Sequence, residues 1–299
     1  TEELARDVIM IIRNTHGLPR SLVDTVLSAK TPHERREGAD ISVTELIGPP
    51  RIKQLKDKYY DQVDIDASDR AHALMGTAIH GLISKAPYAL SSVRLFARWK
   101  GLDRMWAVSG EFDLLEDGIL WDFKPLKAQA VFDGPKEEWV QQLNIYRALC
   151  LVNRIPVAGL KACAYIRDFT PNQRFREKKY PLASLWPMDV PMWSIGKTMA
   201  YIGYRLTEHE KEMPLCTNEE RWAKPHEYAL MTDGRKTAVA LYSNKEDAER
   251  NAAARETQLN KKFRVEERPQ ESTRCRYYCE FARFCDCGIA ELSGVKQKS

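Results

Sequence analysis

The chain has 299 residues, 43% of them hydrophobic and 29% charged, and a formal net charge of +4 at pH 7. This composition is that of a soluble globular protein and excludes an intrinsically disordered chain. The small positive charge permits nucleic-acid binding without requiring it. No apolar run is long enough to span a bilayer, and the first residues lack the layout of a signal peptide. We therefore expect a cytoplasmic protein that does not bind membranes.

The first part of the chain is predicted to be helical. Residues 1–60 carry this pattern, with a polar break at Thr31-Pro32-His33 and a stop at Gly48-Pro49-Pro50. Apolar residues recur at helical spacing between 67 and 84, which predicts a further helix. These residues are Met75, Ile79, Leu82 and Ile83.

The middle of the chain alternates between strand and helix patterns. Strands are predicted at 93–99, 106–115 and 119–125, followed by a helix at 136–152 and a strand at 159–167. This order predicts an α/β fold with a mixed central sheet flanked by helices.

The character of the sequence changes after Cys216. A hairpin-like stretch at 228–242 precedes a charged helix at 245–261, and a cysteine-containing tail follows. We divide the chain into three regions, which are an N-terminal helical region at 1–65, a core at 66–215 and a C-terminal extension at 216–299.

The most informative stretch is GEFDLLEDGILWDFKP, at residues 110–125. Asp117-Gly118 is a strong signal for a type I′ hairpin turn, in which both central residues have positive φ. Glu116 then pairs with Ile119. Moving away from the turn, the same register places Asp113 opposite Asp122, and Glu111 opposite Lys124.

This register sorts the hairpin side chains by chemistry. One side is wholly apolar and is predicted to pack on the core, with Phe112, Leu114, Trp121 and Phe123. The other side carries Glu111, Asp113, Asp122 and Lys124. Opposed carboxylates destabilise a sheet unless a cation lies between them, and Mg²⁺ prefers such oxygen ligands. A surface hairpin in which Lys124 simply neutralises the aspartates is the alternative interpretation.

Four motifs occur in a fixed order: Gly76-x-x-x-His80, Gly110-x-x-Asp113, Asp122-Phe123-Lys124 and Gln142-x-x-x-Tyr146. In this order, over about residues 70–150, the chain resembles the PD-(D/E)XK nuclease superfamily. It resembles most its RecB-like branch, which includes Cas4-type and phage exonucleases. The nominal proline of the family motif is absent, since Trp121 precedes Asp122. The resemblance implies a restriction-endonuclease-like core.

The resemblance also implies roles at the hairpin. Asp113 and Asp122 would bind one or two catalytic Mg²⁺ or Mn²⁺ ions, with His80 and the backbone carbonyl of Phe123 as further ligands. Lys124 would position or activate the attacking water. Glu111 is either a third acidic ligand or a salt-bridge partner of Lys124.

The helical motif residues have a structural and a functional interpretation. Gln142 and Tyr146 lie one turn apart and would order the site or touch DNA; otherwise Gln142 is a surface residue and Tyr146 a core aromatic. His80 could equally be an ordinary core or boundary histidine. Gly76, one turn earlier, favours the ligand role because it suggests close approach by another segment.

Cysteines crowd the end of the chain. Cys275-x3-Cys279-x5-Cys285 resembles the cysteine arrangement of iron–sulfur nucleases of this branch, whose first spacing is usually x2. Cys216 or Cys287 would supply the fourth thiolate. Four thiolates suit a 4Fe–4S cluster or a Zn²⁺ ion, and reduced, unligated cysteines are the alternative. The remaining Cys150 and Cys163 are predicted to be core residues.

The sequence thus predicts a metal-dependent deoxyribonuclease, a phosphodiester hydrolase that acts as an exonuclease in recombination, repair or phage DNA processing. Its expected partners are DNA and proteins of recombination or replication. Two alternatives remain: a non-catalytic nucleic-acid-binding module of the same fold, and a Cas4-like trimming subunit of a larger complex. Trp99, Trp106 and Trp139 either stack on bases or belong to the core.

Overall fold

The computed structural model describes residues 11–27, 36–83, 85 and 90–294. The predicted break at Thr31-Pro32-His33 lies outside these residues. The chain divides into two compact units, Thr1–Pro214 and Leu215–Ser299. None of the helices in the described ranges is long and apolar enough to cross a membrane.

The first unit is built on a mixed sheet. Its strands are β1 (Ile11–Arg13), β2 (Ile41–Ser42), β3 (Asp64–Asp66), β4 (Leu90–Lys100), β5 (Met105–Glu116), β6 (Ile119–Leu126), β7 (Gly159–Ile166) and β8 (Leu185–Asp189). Six of them form the central sheet in the order β2-β5-β6-β7-β8, with β4 also paired to β5. The pairs β2–β5 and β6–β7 are parallel and the other three are antiparallel. β1 and β3 form a separate parallel pair.

The two edges of β5 are paired differently. Along one edge, β4 alone pairs with residues 105–115. On the opposite edge, β2 pairs with residues 108–109 and β6 with residues 114–116. In the described structure, residues 110–113 therefore have no strand partner on that edge, and the sheet opens there.

Helices flank this sheet. They are α1 (Arg20–Leu27), α2 (Val43–Ile47), α3 (Pro50–Tyr59), α4 (Ala71–Ile83), α5 (Glu137–Val152) and α6 (Ile195–Glu210). Ser42 and Glu45 form a capping box on α2, and Ser194 caps α6. α5 is the central core helix, because Leu143, Ile145 and Leu149 are fully buried.

The second unit contains short elements. Its strands are β9 (Ala223–Lys224), β10 (Glu227–Thr232), β11 (Ala240–Tyr242), β12 (Phe263–Arg268) and β13 (Glu271–Ser272). Its helices are α7 (Lys245–Leu259), α8 (Thr273–Tyr277) and α9 (Asp286–Ser293). β10 pairs antiparallel with both β11 and β12, and β13 with β9. The predicted hairpin and charged helix of this region are confirmed.

The mixed α/β fold with a central sheet between helices is confirmed, and one local prediction is wrong. The N-terminal region is not wholly helical, because β2 belongs to the central sheet and β1 is also a strand. The helix predicted over 67–84 is present as α4. On its apolar side, Leu82 is 69% exposed and Met75 37% exposed, so periodicity identified the helix without showing how far it is buried.

Candidate active site

The hairpin turn has the conformation that the sequence predicts. Asp117 and Gly118 have φ values of 50° and 74°, as a type I′ turn requires. Leu114 pairs with Trp121 and Glu116 with Ile119. The predicted register of β5 against β6 is confirmed for the residues next to the turn.

Beyond Leu114 and Trp121, a side chain replaces the backbone ladder. The N–H of Phe123 donates to Oδ2 of Asp113 at 2.8 Å, where a regular ladder would offer a carbonyl. β6 continues along β7 over its whole length, from Ile119 to Leu126. The Asp113 carboxylate therefore lies at the opening between β5 and β6, close to Asp122.

The predicted pairing of Glu111 with Lys124 is wrong. Glu111 lies opposite Arg94 on β4, and Nη2 of Arg94 donates to Oε2 of Glu111 at 2.7 Å. Lys124 instead forms an ion pair with Asp122, with Nζ 2.8 Å from Oδ2. The register prediction failed at this distance from the turn because the two strands have already separated.

The carboxylate side of the hairpin is also covered. Leu120 is fully buried, Leu115 is 8% exposed and Asp122 is 3% exposed, while Phe112 on the alternate side is also buried. The prediction that the apolar side packs on the core is confirmed at Phe112 and Leu114, and the carboxylate side is buried as well. The sheet is buried on both faces at this point, and Asp122 lies within the protein.

Asp122 is a charged group in an unfavourable place. Burial raises its pKa to about 6; the positive charge of Lys124 opposes this shift, and the negative charge of Asp113 adds to it. Despite the ion pair, buried Oδ2 has no hydrogen-bond partner of normal geometry in the described structure. An additional cation would relieve both conditions.

His80 on α4 reaches the same carboxylate pair. Its Nδ1 lies 3.1 Å from Oδ1 of Asp113, and this hydrogen bond raises the pKa of His80. The explanation offered for Gly76 is wrong, because no described atom lies within 4 Å of a Cβ placed there. His80 is thus placed by the position of α4, without a close approach at Gly76.

The second helical motif forms a buried chain behind Lys124. Nζ of Lys124 donates to Oε1 of Gln142 at 3.0 Å, and Nε2 of Gln142 donates to the Tyr146 hydroxyl at 3.0 Å. Gln142 is 7% exposed and Tyr146 5% exposed, so the surface interpretation of Gln142 is wrong. Burial, and then the charge of Asp122, raises the pKa of Tyr146, which keeps its hydroxyl protonated.

Gly110 makes room for this chain. A Cβ at Gly110 would lie 2.7 Å from side-chain atoms of Tyr146, Leu149 and Val43. Real Cβ atoms essentially never show such contacts. The glycine of the Gly110-x-x-Asp113 motif therefore lets α5 approach the opened part of β5.

Sequence reasoning missed the placement of Arg94. Besides its bond to Glu111, it lies with Nη1 3.3 Å from Oγ of Ser109, and its charge acts on Tyr146. In the sequence it belonged to a run of basic residues, Arg94, Arg98, Lys100 and Arg104. The alternation of β4 against β5 was the signal that could have placed it beside the site.

The donors around the opening suit a hard divalent cation. Two carboxylates meet in a buried place, one of their oxygens lacks a hydrogen bond, and an imidazole lies beside them. In the part of the chain that the structure describes, no group of three or more His, Cys, Asp or Glu side chains is placed to hold a metal ion. Asp113, Asp122 and His80, the donors at this opening, do not form such a group as they stand.

The cysteines of the second unit influence one another electrostatically, but among the described residues no three of them are placed to hold a metal ion. Burial raises the pKa of Cys216 to about 12, with further contributions from Glu220, Cys275, Cys285 and Cys279. Burial likewise raises the pKa of Cys275 to about 11, and the charge of Cys287 contributes there. None of these described cysteines is in a disulfide.

The other two cysteines belong to the first unit. Cys150 is fully buried in α5, and burial raises its pKa to about 11. Cys163 on β7 is half-buried. The tryptophans considered as base-stacking residues are also buried, namely Trp99, Trp106 and Trp139.

No protein-family model matches the sequence, and no curated protein matches it. Among solved structures, the chain is similar to the crystal structure of SSO0001, with 15% sequence identity and a TM-score of 0.45. The match covers 67% of this chain and 87% of that chain. A likeness of this size carries no conclusion about activity.

Proposed function

We propose that the protein is a metal-dependent deoxyribonuclease of the PD-(D/E)XK type, close to the RecB-like branch. One observation carries the proposal: the sheet opens between β5 and β6 where Asp113, Asp122 and Lys124 meet. His80 from α4 lies at the same carboxylates. A purely structural hairpin would not need a buried, poorly satisfied carboxylate at its widest point.

Hydrolysis of a DNA phosphodiester has a very high uncatalysed barrier, and a site must lower it by on the order of 20 kcal/mol. A Mg²⁺ or Mn²⁺ ion, when bound, lowers the pKa of a water molecule it binds and offsets the negative charge of the phosphate. Asp113 and Asp122 would hold this ion from opposite strands, with His80 and the Phe123 carbonyl completing the ligands. A water oxygen would bond to phosphorus as the bond to the sugar oxygen breaks; the water would release a proton to solvent and the sugar oxygen would take one up, leaving a phosphate monoester and a hydroxyl group.

Lys124 contributes a fixed positive charge. Its ammonium donates to Oε1 of Gln142 and forms an ion pair with Asp122 that lacks hydrogen-bond geometry, and an ammonium has three N–H donors. A donor would therefore be available for the attacking water or for a phosphate oxygen. The Gln142–Tyr146 chain fixes the direction of this donor, which supports an ordering role for the motif rather than direct contact with DNA.

We also propose that the second unit binds a 4Fe–4S cluster through Cys216, Cys275, Cys279 and Cys285. Support comes from the spacing of Cys275, Cys279 and Cys285 and from the absence of a disulfide among the four cysteines; the other three also act electrostatically on Cys216. Four nearby thiolates repel one another unless a metal neutralises them. The cluster would be structural and tie Cys216 to the tail. A brown protein is expected on purification; a colourless protein with stoichiometric zinc would reverse the choice of metal.

The decisive experiment compares cleavage by Asp113→Asn, Asp122→Asn and Lys124→Ala variants. Substrates are 5′- and 3′-labelled single-stranded and duplex DNA and a closed circle, each with Mg²⁺, Mn²⁺ or a chelator. Asp117→Asn is the matched control, since Asn-Gly keeps the type I′ turn and removes one exposed carboxylate. We expect all three site variants to lose cleavage while the control keeps it.

Undiminished cleavage by the three site variants would reject the proposal. Salt-sensitive binding of DNA without products under any metal would identify the non-catalytic module instead. Resistance of the closed circle, with digestion of linear substrates, would establish exonuclease action.

A further inference from the structure

The second unit exposes aromatic rings, in contrast to the buried tryptophans of the first. Trp222 is 40% exposed, Tyr277 62% and Tyr278 66%. We call these three rings, with Arg274 and Arg276, the aromatic platform. Large exposed apolar groups that gather in one place are uncommon on soluble proteins and mark surfaces that bind something.

The rings of the platform are arranged against one another. Trp222 and Tyr278 meet edge to face with centroids 5.4 Å apart, and Tyr277 lies 6.5 Å from Tyr278. The guanidinium of Arg274 lies over the Trp222 ring at 4.2 Å, and that of Arg276 is 5.8 Å from the Tyr277 ring. Each cation–π contact limits the motion of an exposed ring, so the platform is ordered without being buried.

The backbone of Trp222 is strained. Its φ is 51°, in the left-handed region that bulky residues rarely adopt. Hydrogen bonds hold it there: the Trp222 N–H donates to the carbonyl of Glu219, and the Arg274 N–H to that of Arg221, each at 3.0 Å. Backbone strain of this kind persists only where surrounding contacts impose it, and such sites are often functional. Here the strain presents an indole at the surface.

The charge around the rings favours an anionic partner. Residues 273–284 contain three arginines and one glutamate. Glu271 moderates this charge by pairing with Arg276 at 3.1 Å and Lys224 at 3.4 Å. Most of the binding free energy should therefore come from stacking of the partner's flat faces on the rings, and less from its charge.

Unpaired nucleic-acid bases have this chemistry. Every base offers a π face to an aromatic ring, and the linking phosphates suit nearby guanidinium groups. Bases within a duplex are already stacked, and their faces are inaccessible. We propose that the aromatic platform binds single-stranded nucleic acid by stacking its bases on Trp222 and Tyr278. This inference rests on the proposed function only in taking nucleic acid as the ligand.

The test measures binding by the full chain with no divalent metal added, so that no cleavage occurs and any metal of the second unit stays in place. The probe is fluorescein-labelled oligothymidylate, followed by fluorescence anisotropy, with a duplex of equal length for comparison. Removing one stacking ring should raise Kd roughly 5- to 100-fold, so we expect this increase for Tyr278→Ala with the single strand alone. Trp222→Phe, which retains a ring, should bind nearly as the unaltered protein does.

Tyr204→Ala is the matched control, because Tyr204 is 57% exposed on α6 of the first unit, outside the platform. Tyr278→Ala removes an exposed ring and should leave thermal unfolding unchanged. An unaltered Kd in Tyr278→Ala would overturn the inference, as would equal weakening for single strand and duplex. If the unaltered protein cleaves DNA and Tyr278→Ala leaves Kd unchanged, the platform is refuted and the nuclease proposal stands. If Tyr278→Ala weakens binding and no cleavage is found with any metal, the nuclease proposal is refuted and the platform stands.

Discussion

The two candidate metal-binding regions are built in different ways. In the first unit, Asp113 and Asp122 project from β5 and β6, strands of 12 and 8 residues within a six-stranded sheet. In the second, Cys275 lies on α8, a helix of five residues, and Cys285 directly precedes α9, a helix of eight. We expect the sheet to stay folded around its buried carboxylates without a bound metal. The short elements of the second unit have few packing contacts of their own, and we expect their folding to depend on their metal.

The largest expected effect concerns the hairpin. Asp122→Asn should lower cleavage by roughly a thousandfold or more, which corresponds to about 4 kcal/mol of transition-state stabilisation. Its free energy of unfolding should be equal to or higher than that of the unaltered protein, because the substitution removes a buried charge beside a like charge. Cleavage assays and urea unfolding measure the two quantities. A large loss of stability would show that the site supports the fold, contrary to the comparison.

The cysteine region should show the opposite behaviour. Cys216→Ser should abolish the visible colour and make residues 215–294 sensitive to limited proteolysis, since metal binding is folding free energy for such a region. Cleavage chemistry at the hairpin should persist. Cys287→Ser is the matched variant, because Cys287 acts electrostatically on Cys275 and is the competing fourth ligand. Loss of colour in Cys287→Ser with retention in Cys216→Ser would reverse the assignment.

A pH effect is expected from the core of the first unit. Burial, reinforced by the charge of Arg205, lowers the pKa of His209 from 6.5 to about 4. The unfolded chain then binds the proton more readily, so stability is present above pH 6.5 and is lost as pH falls towards 4, by about 3 kcal/mol. Lys53 and Glu45 also act on His209, with Lys53 favouring and Glu45 opposing the shift.

Urea midpoints at several pH values would measure this loss. His209→Gln should flatten the dependence between pH 6.5 and 4, although it also changes the contact of Nε2 with the carbonyl of Leu46 at 3.2 Å. An unchanged slope in the variant would assign the acid sensitivity to other groups.

The smallest expected effect tests how the sheet admits α5. Gly110→Ala should destabilise the first unit by about 1–3 kcal/mol, because the new methyl group overlaps Tyr146 and its neighbours. Gly203→Ala in α6 is the control: no described atom lies within 4 Å of its Cβ position. There alanine should stabilise the helix by up to about 1 kcal/mol. Equal effects of the two substitutions would contradict close packing at Gly110.

The sequence predicted those features that local chemistry determines. Asp117-Gly118 determined the turn, the turn determined the register as far as Leu114 and Trp121, and α5 followed from its long apolar pattern. The pairing of Glu111 with Lys124 was wrong because the two strands separate beyond Leu114 and Trp121, where the Asp113 side chain accepts the N–H of Phe123. No local pattern shows where the pairing of two strands ends.

Other features were not predicted from the sequence, for different reasons. α6 was not predicted, since Gly196 and Gly203 weaken its helical signal although Ser194 is a good N-cap. The burial of Gln142 depends on its contact with Lys124, a tertiary feature with no local sequence signal. The exposed side of α4 shows the same limit, because periodicity does not identify which neighbour covers a helix.

The two-residue strand β2 has a consequence for protein engineering. It pairs with residues 108–109 of β5 on the edge where β6 pairs with residues 114–116, so it forms the far boundary of the gap that holds the site. The four motifs do not include β2, and grafting them alone onto another scaffold would bring the side chains without this boundary. A designer would have to import Ile41 and Ser42 as well, although neither carries any chemistry.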